Sequence, residues 1–156
     1  MKTIAFYFPQ FHAIPENDEW WGKGFTDWTN VKSAKPQFKG HNQPEIPYGN
    51  NYYSMLDETV LENHSKLALE YGIDGFCYYH YWFEGKLLLE KPMEKMLKNK
   101  NIKIPFCISW ANETWARSWS NVKNANVWSA VEEPKNKEGK EVLLEQSYGE
   151  YEDWKK

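Results

Sequence analysis

Side chains capable of acid–base chemistry recur beside tryptophan in this sequence. Glu113 follows Asn112 directly and lies between Trp110 and Trp115. A carboxyl group held among apolar rings loses part of its hydration, which suits it to proton transfer or to binding a hydroxyl group. The alternative is a structural carboxylate that bonds a neighbouring loop or Arg117. We take Glu113 as the candidate catalytic residue.

Other polar groups are weaker candidates. Glycoside chemistry usually uses two carboxyl groups, and Asp27 and Glu84 are available without an equally favourable context. His12 and His80 follow apolar runs and either bind hydroxyl groups or are packed, hydrogen-bonded rings. The sequence has no metal-ligand spacing and no Gly-rich phosphate loop, so neither a metal nor a cofactor is predicted.

Aromatic residues make up 17% of the 156 residues, with nine tryptophans among them. Most lie next to polar residues, and such a mixture fits a ligand with both an apolar face and hydroxyl groups, such as a sugar. The alternative is that these rings stiffen long loops. The candidate substrate-binding residues are His12, Trp28, His80, Tyr81, Trp82, Trp110, Asn112 and Trp115.

Three nearly continuous apolar runs, at residues 3–8, 74–79 and 104–110, predict parallel strands covered on both faces. Apolar residues at helical spacing in 60–71 and 89–97 predict two intervening helices. This β-α-β-α-β order predicts an α/β fold with a parallel sheet. Ligands of such sheets bind beyond the carboxyl ends of the strands, where the candidate residues cluster.

The connection between the first strand and the first helix, at about residues 9–55, is far longer than the usual ~2–6 residues. Its many Trp, Pro and Gly residues favour a functional loop. Residues 132–140 are typical of a solvated loop tip, residues 142–146 of a short strand and residues 151–156 of a helix start.

Composition excludes several classes of protein. A net charge of −3 argues against nucleic acid as the main partner. No apolar stretch approaches the ~20 residues of a membrane span, and the first residues lack the cleavage site of a signal peptide. Cys77 and Cys107 lie in apolar runs, which predicts buried, reduced thiols and a cytoplasmic location.

Several long motifs resemble the WbsX family of polysaccharide-biosynthesis glycosyltransferases, over nearly the whole chain. They are FYFPQFH at 6–12, PENDEWWGKGFTDWTNV at 15–31, GHNQP at 40–44, YGIDGFCYYHYW at 71–82, SWANE at 109–113 and LLEQSYG at 143–149. That family is similar to glycoside hydrolase family 99, (β/α)8-barrel enzymes that act on α-mannosides. The resemblance implies a barrel, a sugar-binding face and a role in lipopolysaccharide O-antigen or capsule assembly.

Two departures from the family pattern change this expectation. After Glu113 the family usually shows NWTRRW, whereas residues 114–119 read TWARSW, and the family's late NEWxEG motif is absent. A whole barrel takes ~250 residues. The chain is therefore expected to be a single N-terminal fragment, residues 1–156, with a partial (β/α)8 TIM-barrel-like fold. Such a fragment would self-associate, pair with a C-terminal half of the barrel or be poorly stable. The alternatives to a glycosyltransferase are an endo-acting glycoside hydrolase and a non-catalytic sugar-binding remnant.

Overall fold

Strand β2 (Gly75–Phe83) is the centre of the sheet in the computed structural model, which describes residues 1–116, 142–144 and 146. Contacts divide the chain into two compact units. The first contains residues 1–12 and 53–112, and the second contains residues 13–52 and 113–156. The predicted loop tip at 132–140 and the predicted helix start at 151–156 lie outside the described residues.

The first unit has the predicted β-α-β-α-β order with one added strand. Its elements are β1 (Ile4–Tyr7), α3 (Glu58–Glu70), β2, β3 (Lys86–Leu88), α4 (Lys91–Lys98) and β4 (Phe106–Trp110). Strands β1 and β4 each pair with β2 in parallel. The α/β class and the parallel sheet are confirmed, while the partial barrel stays a prediction.

Strand β2 continues four residues beyond its predicted end because β3 pairs with it as an antiparallel hairpin. The two turn residues, Glu84 and Gly85, both have positive φ angles, of 46° and 85°. Positive φ at both positions is the requirement of a tight type I′ turn. His80, Tyr81 and Trp82, which the sequence predicts to follow the strand, therefore lie within it.

One face of the sheet packs against α3 and α4. Phe76 and Tyr78 of β2 join Met55, Leu61 and Met96 in a buried apolar cluster. The opposite face is uncovered in places, as Phe6 is 73% exposed and contacts Tyr79 with ring centroids 5.8 Å apart.

Ser65 on α3 joins that helix to the chain that enters β4. Its side-chain oxygen accepts hydrogen bonds from the backbone N–H groups of Lys103 and Ile104, both at 3.2 Å, and the residue is only 2% exposed. One buried and one partly buried backbone donor are thereby satisfied.

We expect Ser65→Ala to lower the free energy of unfolding by about 1–2 kcal/mol, because both backbone donors lose their acceptor. Urea denaturation measures this change. Ser33→Ala is the matched control, since Ser33 is exposed and donates only to the Asn30 carbonyl in its own helix. Equal effects of the two substitutions would contradict the assigned role of Ser65.

The second unit begins with the long connection, which is not a structureless loop. It contains α1 (Pro15–Trp21), α2 (Asp27–Ser33) and a 3-10 turn (Tyr48–Asn50), and later in the unit β5 (Trp115–Ala116) pairs antiparallel with β6 (Val142–Leu144). Pro15 at the first turn of α1 favours a helix start, and Thr26 precedes α2 with its backbone N–H bonded to Thr29 Oγ1 at 3.3 Å. Two short helices thus replace the predicted loop.

In the described part of the chain, no helix is long and apolar enough to cross a membrane.

Candidate functional site

The carboxyl ends of β1, β2 and β4 lie at one edge of the sheet because the three strands are parallel. Six candidate residues of the first unit are at or beyond these ends, and five of them, all except Tyr81, are considered together. The five are His12, His80, Trp82, Trp110 and Asn112, which we call the sheet-edge cluster. The predicted convergence of strand ends is therefore present within this unit.

The surroundings of His12 favour one tautomer of its ring. Its Nδ1 lies 2.9 Å from the Pro9 carbonyl oxygen, which can only accept, so Nδ1 carries the hydrogen. Burial lowers the pKa of His12, and the nearby Lys91 adds to this effect. The ring is 1% exposed, and its Nε2 has no hydrogen-bond partner among the described residues. Nε2 is thus a buried acceptor without a donor among the described residues.

His80 is the second histidine of the cluster and is half-buried in β2. Burial lowers its pKa, although the charge of Glu90 acts in the opposite direction. Glu90 and Lys91, the residue that influences His12, are consecutive at the start of α4, so both rings lie near that helix start. Two neutral imidazoles at one sheet edge can exchange hydrogen bonds with hydroxyl groups.

Trp110 is held in place by β2. It is the register partner of His80, and its indole Nε1–H donates to the Trp82 carbonyl oxygen at 3.0 Å. The two indole rings meet edge to face, with centroids 5.8 Å apart at 66°. The N–H of Trp110 is therefore committed to the backbone, and what it offers a ligand is its ring face.

The Tyr81 side chain points to the opposite side of the sheet from those of His80 and Trp82. Successive residues of a strand point to opposite sides, so Tyr81 lies on the side of Tyr79, with ring centroids 6.3 Å apart, and is 6% exposed. The sequence predicts a site that contains Tyr81 together with His80 and Trp82 because it predicts that the strand ends at residue 79.

Asn112 is exposed at the end of the first unit, and Glu113 begins the second unit and is also exposed. The partial dehydration of Glu113 that the flanking tryptophans predict is not found. Trp115 is instead a core residue of the second unit, 3% exposed and edge to face with Trp20 at 5.9 Å.

Trp28 lines a pocket of about 290 Å³ within the second unit, which we call the α2 pocket. The other lining residues are Val31, Gln43, Glu45, Ile46 and Pro47. An indole wall with one amide and one carboxylate is a typical setting for a small polar ligand, and the volume is at the lower end for ligand pockets. The predicted role of Trp28 in substrate binding is compatible with this placement and stays a prediction.

The burial of the Asp27 carboxyl group is not predicted from the sequence. Burial raises its pKa from 3.8 to about 6, and its Oδ2 has no hydrogen-bond partner among the described residues. Asn30, one turn along α2, also has a buried side-chain oxygen without a partner there. Residues three apart share a helix face. The available signal was the run FTDWTNV, in which two polar residues at this spacing flank a tryptophan.

Comparison with known proteins gives a family for the chain. The model of the family described as "Glycosyltransferase WbsX" matches residues 3–156. Two proteins named "Uncharacterized protein WxcX", from Xanthomonas campestris pv. campestris strains B100 and ATCC 33913, are each 53% identical over 116 residues. That alignment covers 74% of this chain and 17% of each relative, so the chain spans only a small part of their length. No solved structure matches the chain. The match over residues 3–156 shows that the chain belongs to the WbsX glycosyltransferase family.

Proposed function

We propose that the chain is the sugar-binding N-terminal part of a cytoplasmic glycosyltransferase of lipopolysaccharide O-antigen or capsule synthesis, with a partial (β/α)8 barrel. The observation that carries the proposal is the sheet-edge cluster, in which neutral His80 lies in register with Trp110. An aromatic face beside hydrogen-bonding imidazole and amide groups is complementary to a sugar ring and its hydroxyl groups. Membership of the WbsX family supports the same class of ligand.

Glu113 is the proposed catalytic carboxylate. It is bonded directly to Asn112 in the chain, and an exposed carboxylate remains free to meet an incoming hydroxyl group. In glycosyl transfer it would accept the proton of the acceptor hydroxyl as that oxygen attacks the anomeric carbon, while the donor's leaving group departs with the electron pair of the broken bond.

A hydrolase is the second candidate function because of Asp27. A carboxyl with a pKa of about 6 retains its proton at mildly acidic pH and can donate it to a leaving oxygen. Glycoside hydrolysis requires one such acid together with one ionised carboxylate. The resemblance to glycoside hydrolase family 99 makes α-mannosides the first substrates to test.

Titration with manno-oligosaccharides, followed by intrinsic tryptophan fluorescence, tests the sugar site. We expect Trp110→Ala to weaken sugar binding by about fivefold, because one desolvated aromatic contact contributes on the order of 1 kcal/mol. Trp28→Ala tests the α2 pocket in parallel, because Trp28 is also a predicted substrate-binding residue and lines that pocket. Loss of binding in Trp28→Ala alone would move the sugar site to the α2 pocket, and no saturable signal in any variant would refute the proposal.

Self-association, or pairing with a C-terminal half of the barrel, also stays a prediction. Light scattering during size-exclusion chromatography measures it directly. A monomeric species with a cooperative thermal transition would contradict it.

A further inference from the structure

Cys77 and Cys107 are register partners on neighbouring parallel strands, β2 and β4. Paired residues of adjacent strands point to the same face, and their Cα atoms are about 4.8 Å apart. That separation lies inside the ~4.4–6.8 Å range of disulfide-bonded cysteines. Both thiols are free in the structure.

The orientation of the Cys107 thiol supports their proximity. Its Sγ lies 3.7 Å from the carbonyl oxygen of Phe76, the residue that precedes Cys77 in β2. The sulfur of Cys107 therefore leans across the gap between the strands, toward its register partner.

The exposure of the pair is the reverse of the buried thiols that the sequence predicts. Cys107 is exposed and Cys77 is half-buried, because they lie on the face of the sheet opposite the helices. On β1 the register partner of Cys77 is Phe6, which is also largely exposed. A dissolved reagent can therefore reach Cys107 first.

We propose that Cys77 and Cys107 form a cross-strand dithiol that closes reversibly to a disulfide by exchange with a small disulfide such as glutathione disulfide. The Cys107 thiolate attacks one sulfur of glutathione disulfide, forms a mixed disulfide and releases one glutathione thiolate. The Cys77 thiolate then attacks the Cys107 sulfur and releases the second glutathione thiolate. The protein loses two electrons and two protons, and glutathione disulfide gains both.

The same geometry predicts that the bond is easily reduced. Paired residues of neighbouring strands are held about 4.8 Å apart by the sheet, whereas a relaxed disulfide has its Cβ atoms about 3.8 Å apart. Closing the bond draws the two strands together, and strained disulfides are the labile ones. Burial and the adjacent Cys107 thiol also raise the pKa of Cys77, which slows the second step.

The dithiol lies close to the sheet-edge cluster in sequence and register. His80 follows Cys77 by three residues and Trp110 follows Cys107 by three residues, and these two are also register partners. A covalent link between the cysteines would therefore fix β2 against β4 just before the strands present their candidate ligand-binding side chains.

Mass spectrometry of the whole chain tests the proposal. The protein is equilibrated in mixtures of glutathione and glutathione disulfide, quenched with N-ethylmaleimide and digested. We expect a species that takes up no N-ethylmaleimide, is lighter by two hydrogen atoms, contains a peptide linking Cys77 to Cys107 and reverts with dithiothreitol. Cys77→Ser and Cys107→Ser should each yield only a mixed disulfide with glutathione.

Stable mixed disulfides or intermolecular dimers in the unsubstituted chain, without the internal link, would overturn the proposal. Phenylarsine oxide gives a second measurement that needs no substitution, since one arsenic atom bridges two nearby thiols. We expect one arsenic per chain, released by dithiothreitol and retained in excess 2-mercaptoethanol. Failure to bind phenylarsine oxide would refute the paired geometry.

Discussion

Replacing Glu113 with glutamine is expected to lower turnover of a manno-oligosaccharide substrate about 10²- to 10⁴-fold while leaving sugar affinity unchanged. Glutamine has nearly the same shape and can still hydrogen-bond to a hydroxyl group, but it neither accepts nor donates the proton of the reaction. Turnover is measured as sugar released or transferred, and affinity by tryptophan fluorescence. A loss confined to turnover identifies a group used in the chemical step.

The control for this substitution is Glu84→Gln. Glu84 is an exposed carboxylate at the tip of the β2–β3 turn, and its removal changes the net charge by the same amount. Turnover that is equal in the two variants would contradict the role of Glu113. Binding without turnover in every variant, the unsubstituted chain included, would favour the non-catalytic remnant.

The strands and the two long helices could be predicted because local sequence and tertiary packing agree there. The runs that became β1, β2 and β4 are apolar on both sides, as a parallel sheet requires. Helix α3 carries its own start signal, since the Asp57 side chain accepts from the Thr59 N–H at 2.9 Å, and Gly72 follows its end with a φ of 81°. These signals depend only on neighbours in sequence.

Features that depend on the partner strand or on the surroundings of a side chain could not be predicted. The extension of β2 through Phe83 requires β3, whose three residues are too few for a periodic signal. The exposure of Cys107 depends on which sheet face the helices cover, and an apolar run does not reveal that. Register alone places its thiol beside Cys77.

The two carboxyls, Asp27 and Glu113, reverse their expected environments for the same reason. Glu113 has tryptophans on both sides in sequence but is exposed, because Trp115 turns into the core of its unit. Asp27 begins a short helix, where a carboxylate normally benefits from the helix dipole, and yet its Oδ2 is buried without a partner among the described residues. Sequence neighbours indicate which rings are near a carboxyl group but not whether water reaches it.

Asp27→Asn is expected to stabilise the protein by up to about 3 kcal/mol at pH 7.5, since the difference between a pKa of 3.8 in the unfolded chain and about 6 in the folded one corresponds to that free energy. The folded state binds the Asp27 proton more tightly, so this group's stabilisation is complete below about pH 4 and is lost as the pH rises through 6. The substitution should therefore remove part of the fall in stability between these pH values, as measured by urea denaturation across the range.

Asp18→Asn is the matched control, because the Asp18 carboxylate accepts the Gly24 N–H at 2.8 Å and its substitution should not stabilise the protein. Equal pH profiles for Asp27→Asn and the unsubstituted chain would contradict the buried state of Asp27, whereas a stabilised variant that no longer hydrolyses α-mannosides would identify a destabilising carboxyl retained for catalysis.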